Sequence, residues 1–595
     1  MRLTTRTLAL AVGAALMGSA LLAGCGHKDK DAPLAFVPAD TPYVVANLDV
    51  LDDDTRKAIL AQADAQMPAQ IAQINNSADE LAAKDPDTAR LLHAFTAELG
   101  SKNIETFADN AGLDIKGHSA FYGLGLAPVM RLELADPAKF ESFIGRLETA
   151  YGKKFDVATV GGQNYRKHVS TQSGTEAIIA IVGKQAVAAV LPADASEPLL
   201  RQALGLDRPE HNLADDGRLD KLAKDKGYQP WAVGEFDLSR ALPLAASGKD
   251  PLFGALLKAH AQTESAQTGE PVANQLQIPA SCGTDAARIA ARVPQISFGY
   301  TKLDASHQDM RWDVAVADDI SKAFAGLKVE LPGLGVDADA PFDMSLALPM
   351  ATMRTFWSAQ ADAVTAKPFT CPALSDLNDT FAKLGPAMQK AAVPPIGDLL
   401  GLRIALDSFA ADPNGGMPKF TGRVVLGTNN PAGLLAMGQM AIPALSQVKL
   451  GNDGKPVALP ANMTAILGQP VSAAMGEKAL AIAIGAGEDA KLSDTLKAAG
   501  GDAGRMLRMH LSGDMYSAWI AVMQQKADSM AALSVAAGHD PATDPNGSDD
   551  VQKAAARSKA QFAAMQAQAA RIKEIAAEAH MEDGDLVLTS QTVLK

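Results

Sequence analysis

The stretch Ile178-Ile179-Ala180-Ile181-Val182-Gly183-Lys184-Gln185-Ala186-Val187-Ala188-Ala189-Val190-Leu191 decides the fold. Two short apolar runs flank a glycine-led polar turn, which is the pattern of an antiparallel hairpin. The pattern returns at Ser472 to Met475, Gly476-Glu477-Lys478 and Ala479 to Ile484, an offset of about 293 residues.

Working outward from these hairpins, the flanking segments recur in the same order. Arg131-Leu132-Glu133-Leu134 precedes Asp136-Pro137 and a helix through Phe140, Phe143 and Leu147; Arg423-Val424-Val425-Leu426 precedes Asn430-Pro431 and a helix through Leu434, Leu435 and Ile442. Asp136 and Asn430 suit the cap position, and the prolines suit the first helical turn. Upstream, Thr41 to Leu48 matches Ala340 to Ala347, each followed by a helical stretch. Downstream, Ala286 to Ile289 matches Ala569 to Ile572, and the closing strand Asp309 to Val316 matches Asp585 to Gln591. The ordered set predicts an α+β body made of two tandem, duplicated halves, 34–335 and 336–595, with largely antiparallel sheets. Parallel doubly wound sheets are the second choice. An alanine-rich insert at 515–581 predicts a helical hairpin, Met515 to Gly538 and Val551 to His580, joined by a turn-rich linker. Tyr516, Trp519 and Met523 share one face of the first helix and are expected in the core.

Composition limits the function classes. The chain has 595 residues, 47% hydrophobic, 21% charged and 5% aromatic, with 54 basic against 68 acidic residues and a net charge of −14. No basic surplus is available to neutralise a phosphate backbone, so no nucleic-acid partner is expected.

The first residues give an address. Arg2 and Arg6 precede an apolar run from Leu8 to Ala20, and Leu21-Leu22-Ala23-Gly24 leads into Cys25. The run is too short to span a bilayer and has the form of a secretory signal. Leu-Ala-Gly-Cys resembles the lipobox of bacterial lipoproteins. That resemblance implies cleavage between Gly24 and Cys25, removal of residues 1–24, and acylation of the Cys25 thiol and the new N-terminus. Several acyl chains anchor a protein stably where one does not. Residues 25–33 are then a short tether. Gly26 follows the cysteine in place of the aspartate associated with inner-membrane retention, which favours the periplasmic face of the outer membrane. Without its first 24 residues the chain carries −16, so its body is repelled by an anionic lipid surface.

With Cys25 assigned to lipid, Cys282 and Cys371 remain. In an oxidising compartment a structural disulfide is expected, two buried free thiols being the alternative. Two cysteines are too few for a zinc site.

Local catalytic motifs are missing from the sequence. It holds no phosphate loop, no GxSxG elbow and no histidine pair at zinc spacing. The linker around Asp544, Asn546 and Gly547 resembles an EF-hand loop, but Ala542 and Lys553 occupy its key carboxylate positions. Glu235 and Asp237 share a face of one strand, read as a solvated face and not as an acid/base pair. Sixteen of 21 methionines lie at or after Met344, including Met350/Met353, Met437/Met440 and Met506/Met509. Thioethers suit cuprous copper, yet they also fill irregular cores and adaptable apolar pockets, and the latter reading is preferred.

Phe36-Val37-Pro38-Ala39-Asp40-Thr41-Pro42-Tyr43-Val44 and Phe369-Thr370-Cys371-Pro372 resemble an uncharacterised family of Gram-negative envelope lipoproteins. The resemblance implies an envelope address and carries no catalytic residues. The expectation is therefore a lipid-anchored envelope protein without cofactor, contacting the membrane through its anchor and serving as a binding or structural protein for an envelope partner. A carrier of an apolar ligand, sited in the methionine-rich half or the crevice between halves, is the alternative. A hydrolase with dispersed residues is the third.

Overall fold

The computed structural model describes residues 30–595 apart from 101, 171, 270, 272–277, 392, 413–417, 461–463, 465–466 and 537–546. Gly24, Cys25 and the signal segment lie outside the described residues, as does 539–546 of the linker. The chain forms two compact units, one running to Ala315 and including Thr370–Ala373, the other comprising Val316–Phe369 and Leu374–Lys595. The division lies ahead of the expected 335/336 boundary because Val329, Leu331 and Leu334 pack with Ala347 in a buried cluster of the second unit.

In the first unit the strands are β1 (Tyr43–Ala46), β2 (Ser119–Leu124), β3 (Ala127–Glu133), β4 (Asp156–Val160), β5 (Gln163–Ser170), β6 (Thr175–Val182), β7 (Gln185–Pro192), β8 (Val233–Asp237), β9 (Gln295–Leu303) and β10 (His307–Ala315). They form one antiparallel sheet in the order β4-β5-β6-β7-β3-β2-β1-β8-β9-β10. Its helices are α1 (Asp53–Leu81), α2 (Pro86–Gly100), α3 (Ile104–Asn110), α4 (Pro137–Tyr151), α5 (Glu197–Leu204), α6 (Leu213–Asp216), α7 (Arg218–Lys226), α8 (Leu238–Ser247), α9 (Pro251–Thr268) and α10 (Ala280–Ala290).

The second unit contains β11 (Phe342–Ala347), β12 (Leu399–Ala410), β13 (Lys419–Thr428), β14 (Val457–Ala458), β15 (Val471–Met475), β16 (Ala479–Ile484), β17 (Arg505–Ser512), β18 (Ile572–Glu582) and β19 (Asp585–Leu594). These are antiparallel in the order β14-β15-β16-β13-β12-β11-β17-β18-β19. From β6 to β10 and from β15 to β19 the two orders correspond strand for strand. The helices are α11 (Asp318–Phe324), α12 (Met350–Ala366), α13 (Ser375–Ala391), α14 (Pro431–Ala441), α15 (Leu492–Lys497), α16 (Gly513–Ala536) and α17 (Gly547–Arg571). The fold class is α+β.

Local chemistry accounts for the boundaries. The Asp136 side chain accepts from Ala138 N at 2.9 Å and Lys139 N at 3.2 Å, and Asn430 accepts from Gly433 N at 2.9 Å, so both proline-marked helices, α4 and α14, are capped. One expectation fails. Ile572–Glu582, read as the end of an alanine-rich helix, is a strand paired on both sides, so the helical hairpin ends at Arg571. Ladder pairing with β17 and β19 outweighs the helical propensity of Ala576, Ala577 and Ala579.

Coverage differs between the units. In the first, one sheet face joins a buried cluster of 24 residues, including Val44, Tyr122, Val129 and Val187, while α1 to α4 bury 14 more around Phe107, Phe140, Phe143 and Ile144. The second unit's largest buried clusters among the described residues hold six and four.

Candidate functional site

Alternation along β-strands sends successive side chains to opposite faces, so paired registers define what each face of the second sheet carries. On one face, Leu507, Leu346, Leu402, Leu426, Leu480 and Met475 stand opposite one another across β17, β11, β12, β13, β16 and β15. A second row is Met509, Met344, Ile404, Val424, Ile482 and Ala473. The third is Leu511, Phe342, Leu406, Gly422, Ile484 and Val471. Six strands at sheet spacing and three rows span about 24 Å by 13 Å.

This apolar field is covered only in part, its margins at Met475, Ala473, Val471 and Leu511 being buried. Leu426 is 36% exposed and Ile482 38%, and Leu402, Ile404, Leu346, Met344, Val424 and Leu480 are all partly exposed although they lie on the inner strands of the sheet. The helices of this unit also leave apolar side chains outside. Ala361 is the buried residue of α12 and Pro431 that of α14. Of the twelve large apolar side chains that stand exposed among the described residues, ten belong to the second unit, among them Trp357, Met440, Trp519 and Met523. Contiguous apolar surface of this kind marks an interaction site more often than chance burial. A small, partly open pocket lined by Phe324, Leu327, Met353 and Met506 measures about 20 Å³, room for about one water.

The opposite face of the same sheet is buried and charged. Arg403 donates to Asp343 through Nε (3.1 Å) and Nη2 (2.7 Å), and Arg508 donates to Asp343 Oδ1 at 2.8 Å and to Gly333 O at 3.1 Å. Arg423 reaches Asp339 at 3.1 Å and Thr495 Oγ1 at 3.2 Å. Burial opposes ionisation of Asp343, but the hydrogen bonds and charges of Arg403 and Arg508 outweigh it and hold the carboxyl below its ordinary range. Gly333 has φ +94°, and a Cβ there would meet the Arg403 guanidinium at 2.3 Å, so glycine is required over this pair.

The equivalent face of the first unit carries a chain of ring contacts. Trp312 and Phe298 have centroids 4.4 Å apart, Phe298 and Phe236 5.9 Å, Phe236 and Tyr43 6.2 Å, and Tyr43 and Phe121 5.6 Å. All five rings are partly exposed.

Several residues singled out in the sequence are now placed. Cys282 and Cys371 are bonded as a disulfide with Cα atoms 4.5 Å apart. Asp285 beside them accepts from Thr370 N at 2.6 Å and Cys371 N at 2.9 Å. Glu235 is not on a solvated face. It is buried against Arg218 at 3.1 Å and accepts from Gln295 at 2.6 Å, while Asp237 caps α8 by accepting from Arg240 N at 3.1 Å. Burial raises the Glu235 carboxyl despite Arg218. The expected core role of Trp519 and Met523 is overturned, since they are 48% and 46% exposed. Met506 and Met509 lie three apart on β17 and therefore point to opposite faces.

Among the described residues, a hydroxyl, an imidazole and a carboxylate meet at Thr88, His168 and Asp85. Thr88 Oγ1 donates to Asp85 Oδ2 at 2.8 Å and lies 2.9 Å from His168 Nε2, and Ser170 also donates to Asp85 at 2.7 Å. With its proton on Asp85, Thr88 accepts from the imidazole, which cannot then serve as its base. Asp85 also accepts from Thr88 N at 3.0 Å, so the group caps α2 and ties it to β5. The signal for the apolar face was the alternation in β12, β13 and β16; sequence reading missed it because register with neighbouring strands is not visible in one strand.

Comparison with models of known protein families, with curated proteins and with solved structures finds no match to the chain.

Proposed function

We propose that the protein is a lipid-anchored envelope lipoprotein that binds an apolar-chain ligand on the open sheet face of its second unit. The carrying observation is the field of Leu, Ile, Val, Met and Phe rows whose centre, at Leu426 and Ile482, stays exposed on central strands. Methionine at Met344 and Met509 suits a surface that must adapt to a flexible guest. The shared strand order of the units supports reading the body as a duplication in which this face has been retained twice, aromatic in one unit and aliphatic in the other. The anchor rests on the Leu-Ala-Gly-Cys motif ending at Cys25.

The test uses the chain from residue 25 with Cys25→Ser, purified without detergent and titrated with cis-parinaric acid. Saturable binding that phospholipid displaces is expected, and Leu426→Glu with Ile482→Glu should weaken it at least about tenfold, since losing one buried aliphatic contact costs about 1.5–3 kcal/mol. Absence of saturable binding, or binding unaffected by the two glutamates, would refute the proposal and leave the face to a protein partner.

A further inference from the structure

A different region bears on how the body stands at the membrane. Arg131 on β3 is fully buried, and among the described residues it pairs with no carboxylate. It donates to Tyr122 Oη at 3.1 Å, Gln185 Oε1 at 3.0 Å and Ala203 O at 3.0 Å, and its guanidinium lies 4.1 Å from the centroid of Phe36. Arg208 covers the other approach to the same ring at 4.5 Å and bonds the Lys30 carbonyl and the Asp31 carboxylate. Gln185 donates to Asp31 O at 2.5 Å. Phe36 and Val37 are buried, and Val37 O and Ala39 N bond Leu213 N and His211 O at 3.0 and 2.9 Å. The chain is thus fixed to the first unit from Lys30 onward, because releasing it would strip a buried cation of its aromatic cover.

From this clamp, and resting on the lipid-anchor reading, we infer that the first unit presents the β6–β7 turn, Gly183-Lys184, to the lipid surface, with its strands directed away. Four residues lie between Cys25 and Lys30, so the five residue steps reach at most about 18 Å. Gln185, which holds Asp31, immediately follows that turn. Gln172 lies in the β5–β6 turn, beyond the other end of the eight-residue β6 and so at least about 26 Å farther. The short reach keeps the clamped end near the bilayer, while the acidic body is repelled from anionic headgroups.

The test reconstitutes the lipidated full chain in phosphatidylethanolamine and phosphatidylglycerol vesicles containing a headgroup-nitroxide lipid. A fluorophore is placed at Lys184→Cys or Gln172→Cys, both exposed positions. Quenching several-fold stronger at 184 than at 172 is expected. Equal or reversed quenching in vesicle-bound protein would overturn the orientation. A Cys25→Ser chain that floats with vesicles as well as the parent would instead overturn the anchor reading.

Discussion

Asp343 sits with no exposed side-chain surface between the guanidinium groups of Arg403 and Arg508, and each of the three depends on the others for its charge to be tolerated. Removing the carboxylate strips Arg508 of its carboxylate partner and leaves Arg403 with Asp339 alone, at 2.8 Å. Asp343→Ala should therefore cost about 3–5 kcal/mol, read as a lowered urea midpoint. Because its carboxyl is held below the ordinary 3.8, the group contributes stability above that pH and loses it in stronger acid. His168 behaves oppositely in charge but alike in direction. Burial, opposed by Asp85 and Asp87, lowers its proton affinity below the ordinary 6.5, so the unfolded chain binds the extra proton. Its contribution is complete above 6.5 and falls away below it; His168→Gln should flatten the pH profile of the melting temperature between pH 7 and 5. An unchanged profile would show that another group controls this range.

Among the elements, the hairpins and caps were legible because their determinants are local. Gly183-Lys184 and Gly476-Glu477-Lys478 lie between apolar runs, and Asp136 and Asn430 precede prolines. β18 was not legible, because Ile572–Glu582 is rich in alanine and glutamate and owes its strand form to partners distant in sequence. That account gives a substitution whose sign discriminates. Ala577 is partly exposed and paired with Met509 and Ser590, so Ala577→Val should leave stability unchanged or raise it by up to about 1 kcal/mol. In a helix the same change would lower it by about 0.5 kcal/mol. The disulfide was likewise readable from the cysteine count and the oxidising compartment expected from the leader, whereas its Asp285 neighbour was not. The 89-residue separation of Cys282 and Cys371 bounds the entropic stabilisation at about 4–5 kcal/mol, so the double serine variant should melt well below the parent under oxidising conditions.

At the scale of the whole chain, two units with matching strand order differ in what covers them. The first buries aromatic residues of α3 and α4, Phe107, Phe140 and Phe143, in its second cluster. The second replaces these with α14, whose Met440 is 79% exposed, and leaves Leu426 and Ile482 of the apolar rows exposed. Methionine enrichment hinted at that looseness, but it could not distinguish an enclosed cavity from an open face. Only the registers of β11, β12, β13, β16 and β17 show that the apolar residues share one side while Arg403, Arg423, Arg508 and Asp343 take the other. The most direct measurement is photolabelling of the detergent-free chain with a diazirine-bearing fatty acid, followed by peptide mapping. Labels concentrated in Leu399–Ala410, Lys419–Thr428 and Ala479–Ile484 are predicted. Labels scattered over the surface, or confined to the first unit, would contradict it.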